Sequence, residues 1–310
     1  MRIESLREAY GKTLLDIYKQ NKNVVVLDSD VSRSTKSSYC EKEDPSRYFE
    51  MGISEQNMIG TAAGLALSGK LPIAHSFAVF AVGRGYDIIR QSICIPKANV
   101  KICGSSPGLS DTTDGSTHQT IEDIALMRAL PNMTVFAPND AVETAILVRE
   151  MMELTGPVYI RVLRNDLPVY IEESKYIYGR MYRVREGKDI LIIANGSMVR
   201  RSLEAADLLE KQGISARVSL VGVIKPLNVE SLLEETTGVQ GVVVAEEHSI
   251  IGGIGSAIAE ALSTSRPIPI ERIGVRDCFG TMSYDYEALL DHYGLTSTEI
   301  ALAAKKVIRK

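Results

Sequence analysis

Cysteine is scarce and unpatterned in this chain. Its 310 residues hold four, Cys40, Cys94, Cys103 and Cys278, and none forms a CxxC pair. That leaves no disulfide framework and no cysteine metal site, and the flanks of Cys94 and Cys103 read as buried helix and strand. Structural thiols in a reducing cytoplasm are the expectation. No apolar run approaches the length of a membrane span. The opening residues Met1 to Glu8 lack the apolar core of a secretion signal, so the sequons at Asn132 and Asn195 carry no glycosylation message. Basic charge is not in excess. A net charge of −4 gives no footprint for nucleic acid or an anionic membrane. Repeats and low-complexity tracts are missing as well.

What is present is an alternation of helical and strand patterns over a length that suits two domains. The alternation argues for α/β layers with mainly parallel sheets, hence two three-layer α/β domains. The buried-strand patterns are Val24–Leu27, Leu71–Ala74, Val100–Cys103, Thr134–Phe136 and Val158–Val162 in the first half. In the second they are Ile190–Ala194, Ala216–Val221, Val242–Ala245 and a stretch near Ile268–Ile273. Helices are expected between them, one from about Val82 to Cys94. The charged, tyrosine-rich stretch Pro168–Lys188 has no clear periodicity. It holds the expected linker, residues 173–188, between a domain over 1–172 and another over 189–310.

Two phosphate-loop lookalikes fail on context. Gly11-Lys12-Thr13 lies inside a helix and lacks the earlier glycine. Gly252, Gly253 and Gly255 do open a helix after a strand, where backbone N–H groups hold anions. Their spacing is not that of a dinucleotide site, and tight helix–strand packing explains them more simply.

The run Met51-Gly52-Ile53-Ser54-Glu55 is more informative. Ser54 suits an N-cap, Glu55 opens a helix, and Gly69 suits the C′ position. Met58, Ile59, Ala62, Ala63, Leu65 and Ala66 leave that helix almost no polar face, so it reads as surrounded by protein. A first-turn acid favoured by the helix dipole is one reading of Glu55; a functional carboxylate in a costly setting is the other. Four further stretches converge with it. Ser76-Phe77-Ala78-Val79-Phe80 ends a strand and holds two of the five phenylalanines. Phe77 reads first as core packing, whereas Phe80 can offer a ring face to a flat heterocycle. Asp114 and His118 share a polar loop beyond a strand end, where α/β folds bind ligands; such a His is either structural or serves protons and hydroxyls. Arg164 either grips a phosphate or pairs with Asp166. Asp30 and Ser34 follow the first long strand.

The runs GISEQNMIGTAAGLALSGKLPIAHSFAVF, DGSTHQTIEDIALMR and RNDLP resemble the pyrimidine-binding domain of transketolases, and VVVAEEHSIIGGIGSAIAE resembles the transketolase C-terminal domain. The resemblance spans nearly the whole chain. It implies a thiamine-diphosphate-dependent transfer of a two-carbon ketol unit between sugars. Glu55 then matches the glutamate at the aminopyrimidine, which passes proton demand to the thiazolium carbon. Phe80 matches the stacking aromatic, with Phe77 beside it, and Asp30 an acid lining the cofactor region. His118 and Asp114 match residues at sugar hydroxyls, His118 also as a catalytic group. Arg164 and Ser34 match a phosphate subsite. Two positions depart from the pattern: Ser106 stands where many relatives have a phosphate-contacting histidine, and Gly83 where many have an aromatic.

The family's Gly-Asp-Gly motif for Mg²⁺ and diphosphate is missing, and Asp114-Gly115 with Asn139 is only a faint echo of it. The resemblance therefore implies the C-terminal subunit of a split enzyme, with no metal ligand of its own. Thiamine diphosphate and Mg²⁺ would be held mainly by a separate diphosphate-binding subunit. The assembly would hold two copies of each chain and act on sugar phosphates. The β subunit of a 2-oxoacid dehydrogenase, a 1-deoxyxylulose-5-phosphate synthase-like subunit and a non-catalytic binding module are the alternatives.

Overall fold

The computed structural model describes residues 2–308. Strand β1 (Ile3–Ser5) leads into α1 (Leu6–Gln20), where the Ser5 hydroxyl accepts the Glu8 N–H at 3.3 Å as an N-cap. Then come β2 (Val24–Asp28), the short helices α2 (Ser32–Thr35) and α3 (Ser38–Glu43), β3 (Tyr48–Glu50) and α4 (Glu55–Leu67). β4 (Leu71–Phe77) is followed by α5 (Ala78–Ile88), which runs on into a π-helical turn over Ile89–Cys94. β5 (Lys101–Ser105), α6 (Asp123–Ala129), β6 (Thr134–Phe136), α7 (Ala141–Glu153) and β7 (Val158–Val162) complete the first half. β8 (Asp166–Pro168) returns antiparallel onto β1.

The second half contains β9 (Tyr182–Arg185), β10 (Ile190–Ala194), α8 (Met198–Glu210), β11 (Ala216–Leu220), β12 (Val223–Lys225) and α9 (Val229–Glu235). It ends with β13 (Val242–Ser249), α10 (Ile254–Ser265), β14 (Ile270–Val275), α11 (Tyr286–His292) and α12 (Ser297–Ile308). Both halves are thus α/β with mostly parallel sheets. The first sheet has the order β12-β6-β7-β5-β4-β2-β3, and the second β14-β13-β10-β11-β9. Among the described residues of these two sheets, the end strands β12 and β9 alone run antiparallel to their neighbours. The inner strands β2, β5, β7 and β10 are buried at every position, as parallel strands covered on both faces must be. Among the described residues no helix is long and apolar enough to cross a membrane.

Several expectations shift. The helix expected from Val82 begins at Ala78, so Phe80 lies in its first turn and not on the strand. β4 runs three residues further than the apolar pattern, to Phe77. The stretch expected as an aperiodic linker contributes β9 to the second sheet. Ser54 occupies the N-cap position of α4 without a side-chain capping bond, while Gly69 takes φ +85° beyond the helix end as a C′ residue. Helix α4 is not wrapped on all sides within this chain. Met58, Ile59, Ala62 and Ala63 are buried, but Gln56, Asn57, Gly64 and Leu67 are exposed.

The turn at Gly252 to Gly255 combines both readings offered for it. A Cβ on Gly253 would stand 2.2 Å from a Glu246 carboxylate oxygen. The N–H groups of Ile254 and Gly255 donate to that carboxylate at 2.6 and 2.8 Å. The anion at this helix start is the chain's own side chain.

Candidate functional site

Parallel pairing sets the register that assembles the site. Asp28 aligns with His75, Ser76 with Gly104, and Ser105 with Val162. The segments after β2, β4, β5 and β7 therefore leave the sheet at one carboxyl edge, where open α/β sheets bind ligands.

Glu55 is the first residue of α4 and is 3% exposed. Its Oε1 accepts the Ser76 hydroxyl at 3.3 Å, and its Oε2 receives an Arg84 guanidinium N–H at 2.9 Å. Arg84 lies one helical turn beyond Phe80, and its guanidinium carbon stands 4.2 Å from the Phe80 ring centroid. A flat group with N–H donors thus stacks on Phe80 while donating to Glu55. The Arg84 side chain is 47% exposed. An open cleft of about 400 Å³ adjoins Glu55 and Arg84 and is lined as well by Ile53, Ser54 and Gln56.

The aromatic cluster extends to the polar loop. His118 packs edge-on to Phe80, with ring centroids 5.1 Å apart, and to Phe77 at 6.2 Å. Phe77 and Phe80 are 6.3 Å apart. Both phenylalanines are half-buried, so Phe77 is not plain core. His118 Nδ1 lies 2.9 Å from the Thr117 hydroxyl. Asp114 is exposed on the same loop.

Of the two readings offered for Arg164, the ion pair with Asp166 is not found among the described residues. Arg164 instead reaches Asp111, at 2.9 Å, and Asp111 is wholly buried. Burial raises the Asp111 carboxyl above the usual range; Arg164 opposes this, Asp114 adds to it, and His118 opposes it. Asp111 therefore couples the histidine loop to the arginine. Arg7 of α1 is also at hand. Burial and the neighbouring Arg164 lower its pKa, and its Nη1 donates to the Ser34 carbonyl at 3.2 Å. Ser106 is buried at φ +53°, its hydroxyl without a hydrogen-bond partner. Asp30 is exposed at φ +65°, its N–H donating to Glu50 at 2.9 Å.

The structure thus brings Glu55, Phe77, Phe80 and His118 into one cluster. Asp111 ties His118 and Asp114 to a second group containing Arg164 and Arg7, which reaches the Ser34 backbone. Among the described residues, Asp30 and Ser106 form no hydrogen bond or ion pair with either group. Asn139, the faint echo of a cofactor asparagine, is buried and accepts the Gly196 N–H at 3.0 Å across the two halves. Arg84, Asp111 and Arg7 were missed from sequence. The first had a signal in its i+4 spacing from Phe80. The other two meet their partners only through the fold.

These residues fit one half of a thiamine cofactor. A buried carboxylate and an aromatic face, over which a half-exposed guanidinium already stacks while donating N–H, suit a flat aminopyrimidine. For the diphosphate half, the described residues hold no cluster of three or more His, Cys, Asp or Glu placed to hold a metal.

Residues 4–169 match the family model described as transketolase, pyrimidine binding domain, and residues 179–300 match transketolase, C-terminal domain. The chain is 42% identical over 311 residues to a putative transketolase C-terminal section of Methanocaldococcus jannaschii, covering 99% of this chain and 97% of that one. It is 39% identical over 307 residues to a 6-deoxy-6-sulfo-D-fructose transketolase subunit of a Clostridium species, covering 98% and 95%. Among solved structures it resembles a split gene transketolase described as an inactive beta4 tetramer, with a TM-score of 0.89, 47% identity and 99% of each chain covered. With both domains matched in order and relatives aligned over nearly their full length, the chain belongs to the transketolase family, as a C-terminal subunit of the split kind.

Proposed function

We propose that this chain forms half of the active site of a thiamine-diphosphate-dependent transketolase. That enzyme would move a two-carbon ketol unit from a ketose phosphate to an aldose. The observation that carries the reading is the stack of Arg84 on Phe80 against the buried Glu55. Thiamine diphosphate, when bound, supplies the electron sink for the transferred unit. Glu55 holds a proton against the heterocycle, and Phe80, flanked by Phe77, supports the ring. Displaced Arg84 then turns outward. His118 moves a proton at a sugar hydroxyl and, with Asp114, orients the sugar. Arg164, with Arg7 and Ser34, receives the anionic end of the sugar. Asp30, exposed after β2, borders the cofactor region, and the buried Ser106 backs the substrate region.

A separate diphosphate-binding subunit holds Mg²⁺ and the rest of the cofactor, in an assembly of two copies of each chain. The similar beta4 tetramer, described as inactive, supports a need for that partner. Asp111 favours a second reading of the substrate. Its pairing with Arg164 offsets cationic charge, which suits a singly charged or neutral sugar end over a dianionic phosphate. The relative named for a sulfo-sugar fits that charge class.

The test is to purify the chain alone and with a diphosphate-domain subunit, then measure thiamine diphosphate binding and ketol transfer. Little of either is expected alone, and both in the complex. Tight Mg²⁺-dependent cofactor binding by this chain alone would overturn the shared site. A Glu55→Ala complex should assemble and lose about a hundredfold or more in turnover. Near-normal turnover removes Glu55 from the mechanism.

A further inference from the structure

The loop that carries Asp111, Asp114 and His118 belongs to the first half in sequence but is fastened by the second. Its neck closes where Gly108 and Thr120 exchange backbone hydrogen bonds of 2.7 and 3.0 Å. From that neck Leu109 is fully buried and belongs to the hydrophobic cluster of the second half. Glu247, on β13 and 2% exposed, accepts the Leu109 N–H at 2.6 Å through Oε1. Its Oε2 accepts the hydroxyls of Ser197 and Tyr286. The carboxylate reaches this far because residue 108 is glycine: at φ +66°, a Cβ there would stand 2.5 Å from Oε1. The far side of the loop is tied as well. Gln119 Nε2 donates to the Thr281 carbonyl at 2.9 Å, and the Ser283 N–H donates to the Thr112 carbonyl at 2.9 Å.

We propose that the C-terminal half is a positioning device for the sugar-binding loop, with Glu247 as its clasp. Glu247 touches no candidate substrate group. It acts through Leu109, fixing the base of the loop from which Asp111 and His118 project, and so sets affinity for the sugar more than the chemical step. This role in catalysis rests on the transketolase reading above, but the ordering of the loop does not.

The experiment has two arms. In the chain alone, hydrogen exchange is followed for Glu247→Ala, for Glu247→Gln and for the milder Ser197→Ala. Alanine at 247 should speed exchange of amides 109–119 about tenfold or more while β10 and β13 stay protected. Glutamine keeps an acceptor for Leu109 and should restore near-wild-type protection. In the complex with its partner subunit, Glu247→Ala should raise KM for the sugar about tenfold with kcat within about threefold, and glutamine should rescue it. If Glu247→Ala does not fold, Ser197→Ala decides, with a smaller change of the same kind. Unchanged loop exchange overturns the clasp. Faster exchange with unchanged KM overturns its role in sugar binding. An inactive wild-type complex would instead remove the transketolase reading, and the exchange arm would still judge the clasp.

Discussion

Three kinds of group hold the Glu55 carboxylate: the positive end of α4, a serine hydroxyl on β4 and a guanidinium on α5. Each offers positive character, and of the two side-chain donors the guanidinium is the exposed one. Asp111 is the opposite case, a buried acid whose ion pair is with the arginine proposed to receive the substrate. Replacing Asp111 with Asn keeps the shape and removes the charge. Arg164 then faces the sugar unopposed. The ratio of kcat/KM for a phosphorylated ketose over its non-phosphorylated counterpart should rise about three- to tenfold, the scale of one half-exposed ion pair. An unchanged ratio would show that Asp111 does not tune that subsite. The two acids also differ in how far sequence revealed them. Glu55 announced itself by opening an apolar helix. Asp111 sits among polar loop residues, and nothing in its neighbours marks it as buried.

At the scale of elements, the strands read most clearly are those buried on both faces, because an unbroken Val/Ile/Leu run has few other uses. The short strands β3, β9 and β12 escaped notice. At three or four residues they show no period, and β12 finds its partner only across the chain's two halves. The start of α5 was misplaced because Phe77 to Phe80 extends an apolar pattern that a strand and a buried helix share.

The end of β2 supports a sharper statement about energetics. Asp28 is fully buried. Its Oδ1 accepts the Val31 N–H at 2.7 Å, and its Oδ2 accepts the hydroxyls of Thr35 and Ser37 at 2.8 and 2.7 Å. Burial nonetheless pushes the carboxyl from its ordinary 3.8 up to about 6. The folded state therefore holds this proton more tightly than the unfolded chain. The stability tied to it is present below pH 3.8, declines as pH rises, and is lost above about pH 6. Asp28→Asn preserves the shape, and the two hydroxyls can turn to accept from the amide. Relative to the native chain, the variant should gain stability between pH 4 and 7, by about 2 kcal/mol over that span. Denaturant titrations across the range would check it. His75, held down to about 4 by burial in the neighbouring strand, titrates in both proteins and cancels in the difference. Parallel curves would mean that Asp28 does not carry the expected ionisation cost.

On the scale of the molecule, the two halves share a sheet as well as a boundary. β12 comes from the second half yet pairs antiparallel with β6, placing Val223 opposite Phe136 and Lys225 opposite Val135. The Ala137 N–H donates to the Gly222 carbonyl at 2.7 Å, and Asn195 donates to the Ala137 and Val221 carbonyls at 2.7 and 2.8 Å. Lys225 donates to the Arg128 carbonyl at 2.9 Å, closing α6 from below. Arg161, 2% exposed on β7, lies 3.0 Å from Asp123 and donates to the Glu247 carbonyl at 3.3 Å. One hydrophobic cluster runs from Val25 and Ile102 through Val135 to Val221, Ile224 and Ile258.

Cutting the chain at the expected boundary would strip this edge. Val135 and Phe136 would become part of an open strand, with unpaired N–H and C=O groups beside an apolar face. A fragment of residues 1–172 should therefore lack a sharp thermal transition and bind a hydrophobic dye, even though it contains every residue assigned to the candidate site. A chain extended through β12, to about residue 228, would still leave β10 and β11 without β13, so it should fare no better. A cooperative transition in the shorter fragment, with native-like near-ultraviolet dichroism, would show that the first half folds by itself and that β12 only decorates its edge.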